Sequence, residues 1–269
     1  MKQLFVISTG IEVIQPVLAI RLGEQHFSFA ITNADASRLG SLAYYSIVSC
    51  NADTLNKIFS DHPELNNTFF QILICYDHAK SIMIPSEYYD LNNAGPVLNA
   101  ITGDTINASV ISEVVAGWQM NNVYAVPVEI HEWAARRFPS GKTGHNYSLA
   151  IRNLKNCDAA GCISLDILKN DLSIVAGKEN KLLLAQNFSW SSPEDVIYYL
   201  LKICQQLDLL QREVKVILSG LIEKESFLFK ELQQYFMQIE LKEATWIADN
   251  NEYPAHFFTS LNDLAKCAS

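Results

Sequence analysis

Residues 17–31 read Val17-Leu18-Ala19-Ile20-Arg21-Leu22-Gly23-Glu24-Gln25-His26-Phe27-Ser28-Phe29-Ala30-Ile31. Apolar residues alternate on both sides of a polar turn, the pattern of two antiparallel strands joined in a hairpin. A third strand is predicted around Leu42-Ala43-Tyr44-Tyr45-Ser46-Ile47-Val48. Asn51 or Asp53 then opens a helix whose inner face carries Leu55, Ile58 and Phe59, at helical spacing. The helix delivers a buried strand, Phe70-Gln71-Ile72-Leu73-Ile74-Cys75.

The same order recurs about 145 residues later. Cys162-Ile163-Ser164-Leu165-Asp166-Ile167-Leu168 turns at Asn170-Asp171 into Leu172-Ser173-Ile174-Val175-Ala176, and Asn180-Lys181 turns into Leu182–Phe188. Ser192-Pro193-Glu194-Asp195 starts a helix with a cap, a proline at the first helical position and acids in the first turn. Its two apolar stripes, Val196, Leu200, Ile203, Leu207 and Leu210, and Ile197, Leu201 and Cys204, predict burial on most sides. Next comes the strand Val214–Leu218, ending at Ser219-Gly220. This is a repeat of architecture more than of letters. Antiparallel hairpins followed by a helix-linked parallel strand make a mixed sheet flanked by helices.

Between the two copies, Pro85-Ser86 opens a short helix, and Asn92-Asn93-Ala94-Gly95-Pro96 reads as a loop. Asn122–Val126 is a strand, and Pro127–Phe138 an amphipathic helix. The polar stretch Pro139–Asn146 is the expected boundary, giving halves 1–144 and 145–269. A helix near Lys224–Tyr235, a strand near Met237–Leu241 and a helix after Pro254 complete the second half.

Composition narrows the function. The 269 residues hold 20 basic and 29 acidic side chains, a net charge of −9, with 49% hydrophobic residues. A core is affordable, and a phosphate-tracking surface is excluded because few cations are available to displace counterions from nucleic acid. No apolar run approaches the roughly 20 residues of a membrane helix, and the stretch after Met1-Lys2-Gln3 is too short for a signal peptide, so neither a membrane nor a nucleic-acid partner is expected. The six cysteines lack metal or redox spacing; Cys157 and Cys162 come closest, with four residues between them. Reduced, structural cysteines and a cytoplasmic location are the expectation.

Two tandem strand-strand-strand-helix-strand units resemble the actin-like ATPase (RNase H-like) fold of actin, sugar kinases and the seventy-kilodalton chaperones. The chain is more closely similar to an uncharacterised bacterial family of that fold. The stretch from Leu184-Ala185-Gln186-Asn187-Phe188 through Glu194-Asp195-Val196-Ile197-Tyr198-Tyr199 carries most of the likeness, with the first hairpin and Val123-Tyr124-Ala125-Val126-Pro127 adding to it. The resemblance implies an α/β chain, a duplicated actin-like fold of two βββαβ-type halves with mixed sheets flanked by helices. It also implies a nucleotide site between the halves, at Arg21, Gly23, Asp166, Ser219 and Gly220. In such ATPases the first hairpin holds phosphate and metal with an aspartate and glycines, and a glycine-rich strand end holds adenosine.

At those places this chain departs. Arg21 stands where the ATPases carry an aspartate, and a guanidinium cannot coordinate magnesium. Gly23 is followed by Glu24-Gln25-His26, without the small residues that let backbone N–H groups close on a phosphate. Asp166 is followed by no glycine, and Gly220 by Leu221. The expectation is a degenerate nucleotide site with no catalytic residue, metal or cofactor, on a module that binds an unidentified protein partner. Two alternatives are weighed beside it: an ATPase or phosphotransferase in which Arg21 clamps phosphate and Asp166 serves as metal ligand or base, and a sensor holding a small ligand between the halves.

Other motifs reduce to structure. Gly141-Lys142-Thr143 has Arg136 where a phosphate loop needs its first glycine, and is read as a solvated linker. His131-Glu132 has Ala135 at the second ligand position, so the helix presents a charged face. Ser219 lacks the flanking glycines of a hydrolase elbow. In the pairs Tyr44-Tyr45, Tyr88-Tyr89 and Tyr198-Tyr199, one ring is expected to pack inward and the other to lie at a surface or cleft.

Overall fold

A computed structural model describes residues 1–10, 12–154, 157–247 and 253–268. By its internal contacts the chain divides into two compact units. The first is Met1–Leu149 with Thr245–Asn250 and Leu261–Ser269; the second is Ala150–Ala244 with Asn251–Ser260.

In the first unit, β1 (Lys2–Ser8), β2 (Val17–Gly23), β3 (His26–Thr32) and β4 (Leu39–Ser46) precede α1 (Ala52–Asp61). Then come β5 (Gln71–Asp77), β6 (Ser81–Pro85), α2 (Leu91–Thr102), β7 (Ala108–Val115), β8 (Met120–Pro127), α3 (Val128–Arg137) and β9 (Lys142–His145). A helix α4 (Asn146–Asn153) follows. The main sheet has strand order β1-β4-β3-β2-β5-β9, antiparallel from β1 to β2 and parallel from β2 to β9. A second, three-stranded sheet runs β6-β8-β7.

The second unit contains β10 (Cys162–Ile167), β11 (Asp171–Lys178), β12 (Lys181–Ser189), α5 (Pro193–Gln206), β13 (Lys215–Gly220), α6 (Phe227–Tyr235) and β14 (Gln238–Leu241). A last helix, α7, spans Thr259–Ala265. The sheet order is β12-β11-β10-β13-β14. Strand for strand this repeats β4-β3-β2-β5-β9, so the duplicated mixed-sheet plan is present in both units.

Local chemistry accounts for most elements. Asn51 caps α1 by accepting from the Thr54 N–H at 2.9 Å, and Leu55, Ile58 and Phe59 are its buried residues. A capping box of Ser192 and Asp195 starts α5, which buries Val196, Ile197, Leu200, Ile203 and Cys204. Every residue of β2 and β3 is buried. Those strands form one core with α1 and α3, through Leu18, Ile20, Phe27, Phe29, Ile58 and Trp133. Each such side chain contributes about 1.5–3 kcal/mol of burial.

Four local expectations change. The 92–96 stretch is not a loop but the first half of α2, capped by Asp90, with Pro96 inside the helix. Ala94 and Leu98 are buried with Val123 and Ala125 of β8, and that burial overrides the breaker signal. Lys142 and Thr143 are not a solvated linker: β9 pairs in parallel with β5, Leu73 opposite Lys142 through Tyr76 opposite His145. Tyr44 and Tyr45 are both buried, because the inner strand β4 is covered on both faces. Cys157 and Cys162 are joined in a disulfide with Cα atoms 5.4 Å apart, against the expectation of reduced thiols, while Cys50, Cys75 and Cys204 are free. The Asp158–Gly161 turn, closed by the Gly161 N–H on the Asp158 carbonyl, brings the two half-cystines together at the start of β10. No helix among the described residues is long and apolar enough to cross a membrane.

Candidate functional site

Parallel pairing sets one polar group at the same strand ends of each sheet. In the first unit Arg21 lies opposite Cys75 and Gly23 opposite Asp77; in the second, Asp166 lies opposite Ser219 and Ile167 opposite Gly220. Arg21 and Asp166 therefore occupy corresponding positions on β2 and β10, about 145 residues apart.

Arg21 is 3% exposed, and its Nη2 donates to Asp77 Oδ2 at 2.7 Å. His26 places Nε2 3.3 Å from the same oxygen and stacks its ring on Tyr44. Burial by itself would raise the Asp77 pKa; the charges of Arg21 and His26 outweigh it and hold the carboxyl below its ordinary value. Gly23 has a specific reason to be glycine. A Cβ there would collide with the imidazole of His26, so the open face of the turn is filled by that ring.

His145 extends the network. Its Nε2 lies 3.0 Å from the His78 carbonyl, and its Nδ1 accepts from the Tyr147 N–H at 3.1 Å, which assigns the proton to Nε2. Full burial lowers its pKa to about 4, so the imidazole is neutral at physiological pH. Glu113 accepts from the His145 N–H at 2.9 Å.

In the second unit Asp166 receives two hydroxyls: Ser219 Oγ donates to Oδ1 at 3.1 Å and Ser260 Oγ to Oδ2 at 2.8 Å. Ser219 Oγ also lies 3.2 Å from the Leu165 carbonyl. Gly220 has φ +83°, and a Cβ there would run into the Ile167 carbonyl. The glycine is thus required by close packing of β13 on β10, and the Leu221 N–H completes the turn by donating to that carbonyl at 2.7 Å.

Of the residues singled out from sequence, the structure brings Asp166, Ser219 and Gly220 together, and places Arg21 with Gly23 in the first unit. It adds Asp77, His26, His78 and His145, which spacing did not mark as a group. One signal was available: Asp77-His78 ends a run of apolar strand residues, where a carboxylate must find a partner or become neutral. Among the described residues no three His, Cys, Asp or Glu side chains are placed to hold a metal ion.

Residues 13–239 match the model of a family described as Protein of unknown function (DUF3822). The chain belongs to that family. None of the curated proteins matches the sequence. Among solved structures, a Bacteroides thetaiotaomicron protein with actin-like ATPase fold and unknown function superposes with a TM-score of 0.78. It shares 20% identity, over 94% of this chain and 96% of that one. The PilM–PilN type IV pilus biogenesis complex gives a TM-score of 0.59 at 12% identity, covering 96% and 99%. The ethanolamine utilization protein EutJ from Carboxydothermus hydrogenoformans gives 0.53 at 9% identity, covering 97% and 92%. This DUF3822 member therefore has the actin-like ATPase fold.

Proposed function

We propose that this DUF3822 protein is a non-catalytic, cytoplasmic bacterial member of the actin-like fold that binds another protein and has a degenerate nucleotide site. The observation that carries the reading is the buried Arg21–Asp77 pair. A metal ion beside Asp77 would meet a permanent cation on the same carboxylate. A phosphate at the hairpin would meet the His26 ring over Gly23. Arg21, at 3% exposure, also has little surface to offer a phosphate, which favours this reading over a phosphotransferase built on Arg21 and Asp166. The PilM–PilN complex is a precedent in which a chain of this fold is found in a complex named for two proteins.

Thermal unfolding with magnesium and ATP, ADP or GTP in millimolar excess tests the reading. A ligand at a hundred times its Kd stabilises by about 2.7 kcal/mol, roughly a 5–10 °C rise for a chain of this size. The expected result is no rise with any of the three; a rise of that order with one nucleotide would overturn the degenerate site.

A further inference from the structure

β7 is an outer strand of the small sheet β6-β8-β7, within the first unit. It pairs with β8 along its 8 residues without a bulge. A residue of an antiparallel pair points its N–H and C=O either at the partner strand or away from it, in alternation. The Ala125 N–H goes to the Lys80 carbonyl at 3.0 Å, on the β6 side of β8, so Ala125 and Val110, which lie opposite each other, point their backbone groups apart. Val110, Ser112 and Val114 thus present N–H and C=O groups along the outer edge of β7. Alternate side chains share one face of a sheet. Here it is the face on which Ala108 packs with Ala94 and Leu98, and it opens along the strand, Val110 being 40% and Val114 68% exposed.

Sheet edges are ordinarily guarded against an added strand by shortness, proline, lysine or a bulge. β6 has 5 residues and ends in Pro85, and β9 and β14 have 4 each. β1 starts at Lys2 and is bulged between Gln3 and Phe5. β12 starts at Lys181, its pairing with β11 shifts register at Gly177, and the Ser189 carbonyl at its end accepts the Tyr199 hydroxyl at 2.9 Å. β7 has none of these guards. Its one charge, Glu113, lies on the opposite face and accepts the His145 N–H.

Area and charge select the occupant. Val110 and Val114 together leave open about one side chain of apolar surface, on the order of 100 Å², against roughly 800 Å² per partner in a stable pair of folded chains. A single added strand, held by main-chain hydrogen bonds, fits such an edge, and a second folded copy does not. Residues 81–127, which form the small sheet and α2, include Glu87, Asp90, Asp104 and Glu113 and no lysine or arginine; Lys80, next to them, is held on the Asp104 backbone carbonyl. We propose that β7 is a docking edge for an extended segment of a partner protein, with small apolar residues at alternate positions on the α2 face and lysine or arginine at its ends. This rests on the reading that the protein binds another protein, and gives that partner its chemistry.

The test is a nuclear magnetic resonance titration of the full, ¹⁵N-labelled chain with the peptide Ac-Lys-Val-Thr-Val-Thr-Val-Lys-NH2. The amides of Val110, Ser112 and Val114 are expected to shift most and to saturate. The same peptide N-methylated at its valines, which removes the donors facing β7, and a version with glutamate at both ends should each bind at least about tenfold more weakly. Ser112→Pro, which removes one outward N–H, and Val114→Lys, at an exposed position, should each weaken the parent peptide by a similar factor; the second variant serves if the first does not fold. Largest shifts outside β7, equal binding of the N-methylated or the glutamate peptide, unchanged affinity in Val114→Lys, or no shift at about 5 mM peptide would overturn the proposal. So would shifts of the same three amides on diluting the chain alone from about 0.5 to about 0.05 mM, which would assign the edge to a second copy. The nucleotide melting curves test the underlying reading separately, and no outcome here depends on them.

Discussion

Arg21 and Asp77 lie 56 positions apart and meet only because β2 and β5 pair in parallel. Both charges are buried, so each depends on the other: removing one leaves an uncompensated ion, at about 3–5 kcal/mol, while an apolar pair of similar volume is often tolerated. Arg21→Met is therefore expected to lower the melting temperature by roughly 6–20 °C, and Arg21→Met with Asp77→Leu to recover most of the loss. A single variant as stable as the parent in urea unfolding would contradict the pairing. His145 adds a pH dependence. Its folded value of about 4 lies below that of an unfolded histidine, about 6.5, so the unfolded chain takes up the proton first. The stability from burying it neutral is complete above about pH 6.5 and is lost as pH falls toward 4, at up to about 1.4 kcal/mol per unit. Asp77, with its pKa depressed, contributes in the same direction only at lower pH, below the usual carboxylate range. Urea midpoints between pH 7.5 and 4.5 should fall in the parent and fall less steeply in His145→Gln.

At the scale of elements, the segments with strong local signals formed where their residues predict. The Leu55, Ile58 and Phe59 stripe of α1 and the Ser192–Asp195 box of α5 encode helix, phase and start within a single turn. Elements without such a signal were hidden. The four residues of β9 are mostly polar and become a strand only because β5 offers an open edge. In α2 the Gly95-Pro96 pair argues against a helix, and packing of Ala94 and Leu98 decides for it. Pro96 is exposed and has no N–H to give the Asn92 carbonyl, so Pro96→Ala is expected to raise stability by about 1–3 kcal/mol. A lower melting temperature for that variant would mean that the proline is fitted to a kink the fold requires.

For the molecule as a whole, the two sheets share one strand order yet carry opposite charges at the corresponding position, arginine in one and aspartate in the other. Burial is deepest where the repeat is clearest. All of β2 and β3 is enclosed, as is β11 from Leu172 to Gly177, while β6 and β7 are largely half-exposed. Amide hydrogen exchange should rank accordingly, slowest in β2, β3 and β11 and faster in β6 and β7, since local opening is cheapest where few apolar groups are buried. Comparable protection of β7 and β2 would show the small sheet to be as firmly held as the main one.

The sequence by itself determined the α/β class, the repeated order of strands and helix, and the presence of an arginine, Arg21, in the first hairpin. These depend on side-chain period, caps and residue identity, all of which act within a few positions along the chain. Only the tertiary structure decided that Arg21 is paired to Asp77, that the His26 ring occupies the space over Gly23, and that Asp166 is held by Ser219 and Ser260. Such partners lie up to 94 positions apart. Which of many distant polar groups meets a buried charge is set by strand register and by the cost of leaving it unpaired, and neither is written in local spacing.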